Sequence, residues 1–172
     1  MTRALRLALV TALAVAAWPE FARYRAEWQL GEATARMERV LRGTEPEASA
    51  VTSVQRAEEL SRQAIERLPA DPRPVLIRAI ALIMTRRLDE ATALLDAAIA
   101  QGERPEFTIN LGRARAARGD EAGAHRAYLR TAWTAPSAIG TLPKAMQREL
   151  LEEVGALEGK LRTGELKEAP PL

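Results

Sequence analysis

Three stretches decide the fold: RAEELSRQAIERLPADP (56–72), EATALLDAAIAQGERP (90–105) and GAHRAYLRTAWTAPS (123–137). Written one above the other, they bring Ala57, Ala91 and Ala124 into register at separations of 34 and 33 residues. Ser61, Leu95 and Tyr128 coincide four places later, and Ala64, Ala98 and Thr131 three places after that. Pro69, Glu103 and Pro136 end the three predicted helices. A small residue lets one helix approach another closely, and a large residue one turn on fills the gap against the next pair. Each helix pair leaves an apolar face for its successor to cover, so stacking generates the core.

Outward from these stretches the chain reads as helix after helix. Residues 20–42 carry helix formers, with Gly43 and the TEPEASA stretch ending that helix. Helices are predicted over 51–68, 75–86, 89–101, 106–118, 121–134 and 144–162. Pro69, Pro72 and Pro74 mark a rigid turn, and 136–143 a further break. Segment 75–86 (VLIRAIALIMTR) is apolar almost all round and is expected to be buried. Nothing alternates with a period of two, so no strand is expected.

The aligned residues resemble the tetratricopeptide repeat, whose second helix carries a small residue, a bulky one four on, another small one and a terminal Pro. Leu111-Gly112 matches that family's Leu-Gly pair and Gly119 its mid-repeat turn. Three positions depart from the pattern: Arg78 stands where Leu is usual, Arg115 where an aromatic is usual, and Arg86 where the turn has Gly. The resemblance covers roughly 50–138, with repeats at 72–104 and 105–138 and a degenerate hairpin at about 27–71. It implies an all-α fold, a short α-solenoid of hairpins with a C-terminal capping helix. The corresponding domain scheme is an N-terminal membrane helix or signal over 1–22, a helix and inserted loop over 23–50, repeats over 51–142, the cap over 143–162 and a flexible tail over 163–172.

The N-terminal membrane or signal segment is expected from the run LALVTALAVAAW at 7–18, preceded by Arg3 and Arg6. Twelve residues fall short of the roughly 20 that a hydrocarbon core needs. Extended to 4–22, the segment gains Arg6 and Glu20, which would have to reach the two surfaces. Two readings stay open: a single-pass signal anchor, and a cleaved secretory signal with Ala14-Val15-Ala16 as its cleavage site. Trp18, Phe21, Tyr24 and Trp28 follow at helical spacing, and form either an interfacial aromatic belt with Arg3 and Arg6 or a stripe packed on the next helices. Both readings send the remainder across a bacterial inner membrane to its periplasmic side; the arginine- and alanine-rich composition separately suggests a GC-rich bacterial genome.

Composition limits the chemistry. The 172 residues contain 25 Lys and Arg against 23 Asp and Glu, a formal charge of +2, which gives no reason to expect nucleic acid. No Cys is present, so disulfides and thiolate sites are excluded. The one histidine, His125, cannot build a His-rich metal site. No phosphate loop, nucleophile elbow or zinc motif occurs. Glu58-Glu59, Asp89-Glu90 and Glu152-Glu153 are adjacent in sequence and so do not share a helix face. No enzyme activity, cofactor or metal is therefore expected.

The resemblance implies binding on a surface lined by the first helix of each hairpin. It selects Arg73, Leu76, Ile80, Ile83 and Met84, then Glu106, Ile109, Asn110, Arg113 and Ala116. An open row of Leu76, Ile80 and Ile83 is an apolar patch that needs a cover. Two covers remain open: a partner helix or peptide, or this chain's own 20–42 or 144–162 helix. The functional expectation is a non-catalytic, membrane-anchored adaptor that positions partner proteins in an envelope complex. The alternative is a small structural subunit whose N-terminal helix makes the main contact.

Overall fold

The computed structural model describes residues 3–172, apart from the side chains of Ala4 and Leu5. The part of the expected 1–22 segment that falls on residues 1 and 2 lies outside the described residues. Those described are all-α, without a strand: α1 (Arg3–Leu41), α2 (Glu47–Arg67), α3 (Pro72–Met84), α4 (Leu88–Gln101), α5 (Pro105–Arg118), α6 (Glu121–Thr134), a 3-10 turn (Pro136–Thr141) and α7 (Lys144–Thr163). The chain divides into two compact units, residues 1–78 and 79–172.

In the first unit α1 and α2 form an antiparallel pair around Ala26, Leu30, Ala33 and Met37 of α1 and Val54, Ala57, Leu60 and Ala64 of α2. The four buried residues of α1 recur every three or four positions, which puts them on one stripe. Gln29 Nε2 donates to Gln63 Oε1 across the pair at 3.0 Å. Pro19 does not start a new helix as the sequence suggested, because α1 runs through it without interruption. A proline inside a helix forfeits one N–H bond and crowds the carbonyl four residues back. Here that carbonyl belongs to Val15, on an exposed stretch with room to yield. The connection between α1 and α2 is shorter than the expected 43–50 loop, and Pro72 and Pro74 lie inside the first turn of α3. Proline is well tolerated there, where the missing N–H has no helical partner to lose.

In the second unit Leu82, Ala91 and Ala114 pack together with Ile83 and Leu94 beside them. A larger cluster joins Ile109, Ala124, Tyr128, Leu129 and Ala132 to Ile139, Leu142, Leu150 and Val154. Gly112 lets α5 approach Tyr128 of that cluster. A Cβ at this position would lie 2.4 Å from Tyr128 Cε1. Two buried hydroxyls, Thr108 and Thr131, meet at 2.7 Å, and Thr131 also donates to the Ala127 carbonyl. The tail expected to hang free from residue 163 is held at one point: Pro170 is buried and its carbonyl accepts from Arg130 Nη1 at 3.1 Å.

Of the nine aligned helix positions eight are buried, and Ala98 is half-buried. Ala57, Ala91, Ala64, Ser61, Leu95 and Thr131 have no exposure, and Ala124 and Tyr128 have 2% and 6%. Each atypical arginine has a structural counterpart. Arg78 Nε donates to Glu58 Oε1 at 3.2 Å, and Arg115 Nη1 donates to the Gly123 carbonyl at 3.3 Å. Arg86 occupies the turn that Gly119 fills one repeat later and takes the same left-handed backbone, φ 62° against 88°. A side chain in that region costs about 1–2 kcal/mol, partly offset by the larger unfolded-state freedom of glycine. Arg86→Gly is therefore expected to stabilise the protein by about 0.5–1 kcal/mol, read as a rise in thermal midpoint of roughly 2–3 °C.

Candidate functional site

The most unusual surface belongs to the first half of α1. Leu7, Leu9, Val10, Leu13, Val15, Trp18, Phe21, Tyr24 and Trp28 are all exposed, Trp28 at 63% and Tyr24 at 71%. Arg3 and Arg6 are exposed at its N-terminal end. At about 100° per residue, Tyr24 and Trp28 lie opposite the stripe of Ala26, Leu30, Ala33 and Met37 that packs on α2. Tyr24 and Trp28 therefore face away from the helical partner, while Trp18 and Phe21 border it without being buried by it, so packing of the stripe onto the next helix, one of the two sequence readings, is not what the fold uses. Trp18 and Phe21 are in ring contact, centroids 6.3 Å apart.

The expected spanning segment over 1–22 needs correction. Among the described residues no helix is long and apolar enough to cross a membrane. The uncharged run at 7–18 reaches only about 18 Å at 1.5 Å per residue. Nor do the aromatics form a belt around a crossing helix: Trp28 stands about 15 Å along the axis from Trp18, deeper than the interfacial layer of a bilayer, roughly 5–8 Å on each side.

Beside this helix, the C-terminal end of α2 closes a concave site of about 250 Å³. Trp18, Phe21 and Ala22 form its apolar side, and Arg25, Gln29, Gln63, Glu66 and Arg67 its polar side. Gln63 is fixed from both directions, accepting from Gln29 and donating to Glu59 Oε1 at 2.6 Å. Glu66 lies 3.9 Å from Arg62. No acid partner is described for Arg25 or Arg67, nor for Arg23 and Arg56 on the same two helices, whereas Arg36, Arg39, Arg42 and Arg62 are paired.

A polar clamp holds the α1–α2 connection. Glu45 Oε1 accepts from Ser53 at 2.7 Å and Ser49 at 3.1 Å, and Oε2 accepts from Arg39 Nε at 2.9 Å. These donors, Ser53 foremost and then Arg39, lower the Glu45 carboxyl to about 2. Hydrogen bonds from Arg62 and Gln63 lower Glu59 to about 2 as well. A carboxyl depressed from 4.5 contributes stability in full above that value and loses it as pH falls toward 2. Thermal stability is thus expected to decline across this window. Glu45→Gln should be less stable than the parent at neutral pH and match it near pH 2. Melting curves at both ends of the window check this.

The predicted groove is only partly open. On α3, Arg73 and Met84 are exposed, while Leu76, Ile80 and Ile83 are half-buried, Ile83 against the Leu82–Ala91–Ala114 cluster. On α5 the expectation of an open lining fails for two residues: Ile109 and Asn110 are 5% and 4% exposed. Ile109 belongs to the core with Ile139, Leu142 and Leu150, and Ala116 packs against it, so the chain's own C-terminal segment provides that cover. Asn110 Nδ2 donates to the Glu106 carbonyl and its Oδ1 accepts from Arg113, whose Nη2 reaches Thr141 at 2.6 Å. Arg73 is taken up by Asp71 and by Glu27.

The adjacent acids serve as ion-pair partners. Glu58 pairs with Arg78, Glu59 with Arg62, Glu90 with Arg87 and Asp89 with Arg118. His125 Nε2 lies 3.2 Å from Glu153. Among the described residues no group of three His, Asp or Glu side chains is placed to hold a metal ion. No protein-family profile, curated protein or solved structure matches the chain.

Proposed function

We propose that this chain is a non-catalytic scaffold of tetratricopeptide-like helix hairpins, attached to a bacterial inner-membrane surface by the exposed face of α1. On this reading its structured body holds partner proteins in an envelope complex. The repeat alignment and the burial of its aligned positions support the hairpin assignment. The observation that carries the attachment is the continuous exposed apolar surface from Leu7 to Trp28. Its cations lie at both ends, Arg3 and Arg6 before it and Arg23 and Arg25 within its last turns.

The attachment differs from a membrane crossing. The run at 7–18 has no polar side and beds in the outer part of one leaflet, while the aromatic face of 18–28 lies along the surface. An interfacial helix buries its apolar side to about 5–10 Å and keeps its cations among the headgroups. Partner proteins then meet the half-open part of the α3 row, Leu76 and Ile80. The test is flotation of the full chain with phosphatidylcholine vesicles in high salt. Co-flotation supports the attachment, and a chain that stays at the bottom of the gradient overturns it.

A second reading is favoured by the aromatic stripe itself, because Tyr24 and Trp28 turn away from α2 and are exposed. In it, α1 is the contact element for other helices of a membrane complex. Replacing 1–28 by an unrelated apolar and aromatic surface of the same pattern would then abolish assembly, whereas a lipid anchor tolerates the exchange.

A further inference from the structure

We infer that the concavity between α1 and the C-terminal end of α2 is a binding site for the phosphate headgroup of an anionic phospholipid, gripped by Arg25 and Arg67. The inference rests on the attachment of α1 proposed above and adds a lipid class to it.

Two halves of the site fit the two halves of such a lipid. Trp18 and Phe21 supply an apolar wall that continues without a break into the exposed run toward Leu7. Arg25 and Arg67 supply two guanidinium groups on opposite helices, facing one cavity of about 250 Å³. Neither has a described acid partner, so both forks are open for phosphate oxygens, which they match in geometry. Gln29 and Gln63 complete the polar rim and are already locked to each other. One group opposes an anion: Glu66 also lines the site, and its carboxylate is drawn toward Arg62 at 3.9 Å. Two unmatched cations against one acid favour a lipid with net negative charge over a zwitterionic one. The site is placed where such a headgroup would be, because Arg25 is on the same α1 segment as the aromatic face proposed to lie on the surface.

The experiment compares the full chain on vesicles of phosphatidylcholine alone and of phosphatidylcholine with phosphatidylglycerol. Each arginine near an anionic surface contributes about 1 kcal/mol, so the pair is expected to favour the anionic vesicles by roughly 30-fold. Arg25→Gln/Arg67→Gln should lose that factor and keep its partitioning into phosphatidylcholine. Both side chains are exposed, and an unchanged circular-dichroism melt checks that the fold is intact. Arg67→Lys separates a built fork from diffuse charge: a fork predicts a roughly five-fold loss, and parental binding overturns the site. A parent chain that shows no preference for phosphatidylglycerol overturns the site alone. A parent chain that fails on phosphatidylcholine overturns the attachment of α1. If inorganic phosphate at matched ionic strength erases the preference, the ligand is free phosphate and the lipid assignment falls.

Discussion

A chain carrying Val10→Asp and Phe21→Asp is expected to stay unbound in the flotation experiment while folding as the parent does. Burying an aliphatic or aromatic side chain of this size is worth about 1.5–3 kcal/mol. Removing two such contributions costs at least about 3 kcal/mol of attachment, more than a hundred-fold in partitioning, before the cost of burying two carboxylates is added. Val10 and Phe21 are 63% and 59% exposed, so the folded body loses nothing. Vesicle partitioning and a thermal melt on the same sample separate the two properties. Equal partitioning of parent and variant would show that the exposed apolar surface of α1 has another use.

The second large effect concerns stability. Gly112→Ala is expected to destabilise the protein by about 2 kcal/mol, although alanine is the better helix former. The new Cβ would stand 2.4 Å and 2.5 Å from two carbons of the Tyr128 ring. That ring is 6% exposed and sits in the main cluster with Ile109, Leu129 and Leu150, so it has no free direction to retreat. Two ring carbons well inside contact distance put the overpacking at the upper end of about 1–3 kcal/mol, and the roughly 1 kcal/mol of helix propensity gained leaves a net loss of about 2 kcal/mol. The thermal midpoint should fall by roughly 4–8 °C. Tyr128→Leu alone leaves a cavity, but combined with Gly112→Ala it should cost less than the two changes added separately, because the methyl occupies part of the vacated space. Additive losses would mean that the two residues do not share one packing constraint.

What could be read from the sequence follows the range of the interaction. Ala57, Ala91 and Ala124 announced themselves by spacing, because a helix-packing position repeats with the unit that contains it. The left-handed turn at Arg86 was legible only as a departure, since its neighbour one repeat on is Gly119. Pro19 was misread because propensity describes an average helix, and an exposed one has room to absorb a proline. The α5 half of the groove was misread for a different reason. Whether Ile109 faces water depends on where residues 136–154 return, and no local pattern encodes that. The same holds for the Arg25–Arg67 site and for the Glu45 clamp. Ser49 and Ser53, one and two turns beyond Glu45, gave a faint local signal, whereas Arg25 and Arg67 are brought together only by the α1–α2 pairing.

The uninterrupted course of α1 from Arg3 to Leu41 has a mechanical corollary. Some 58 Å of helix at 1.5 Å per residue carries both the greasy end and the stripe that grips α2, with Pro19 but no loop between them. A cargo carried on a floppy tether samples every attitude, but one carried on a stiff spar inherits the attitude of its mount. If the aromatic face sets how α1 rolls on the lipid, the α1–α2 pair is oriented by that same roll. Any protein docking on the pair would approach a target already aimed.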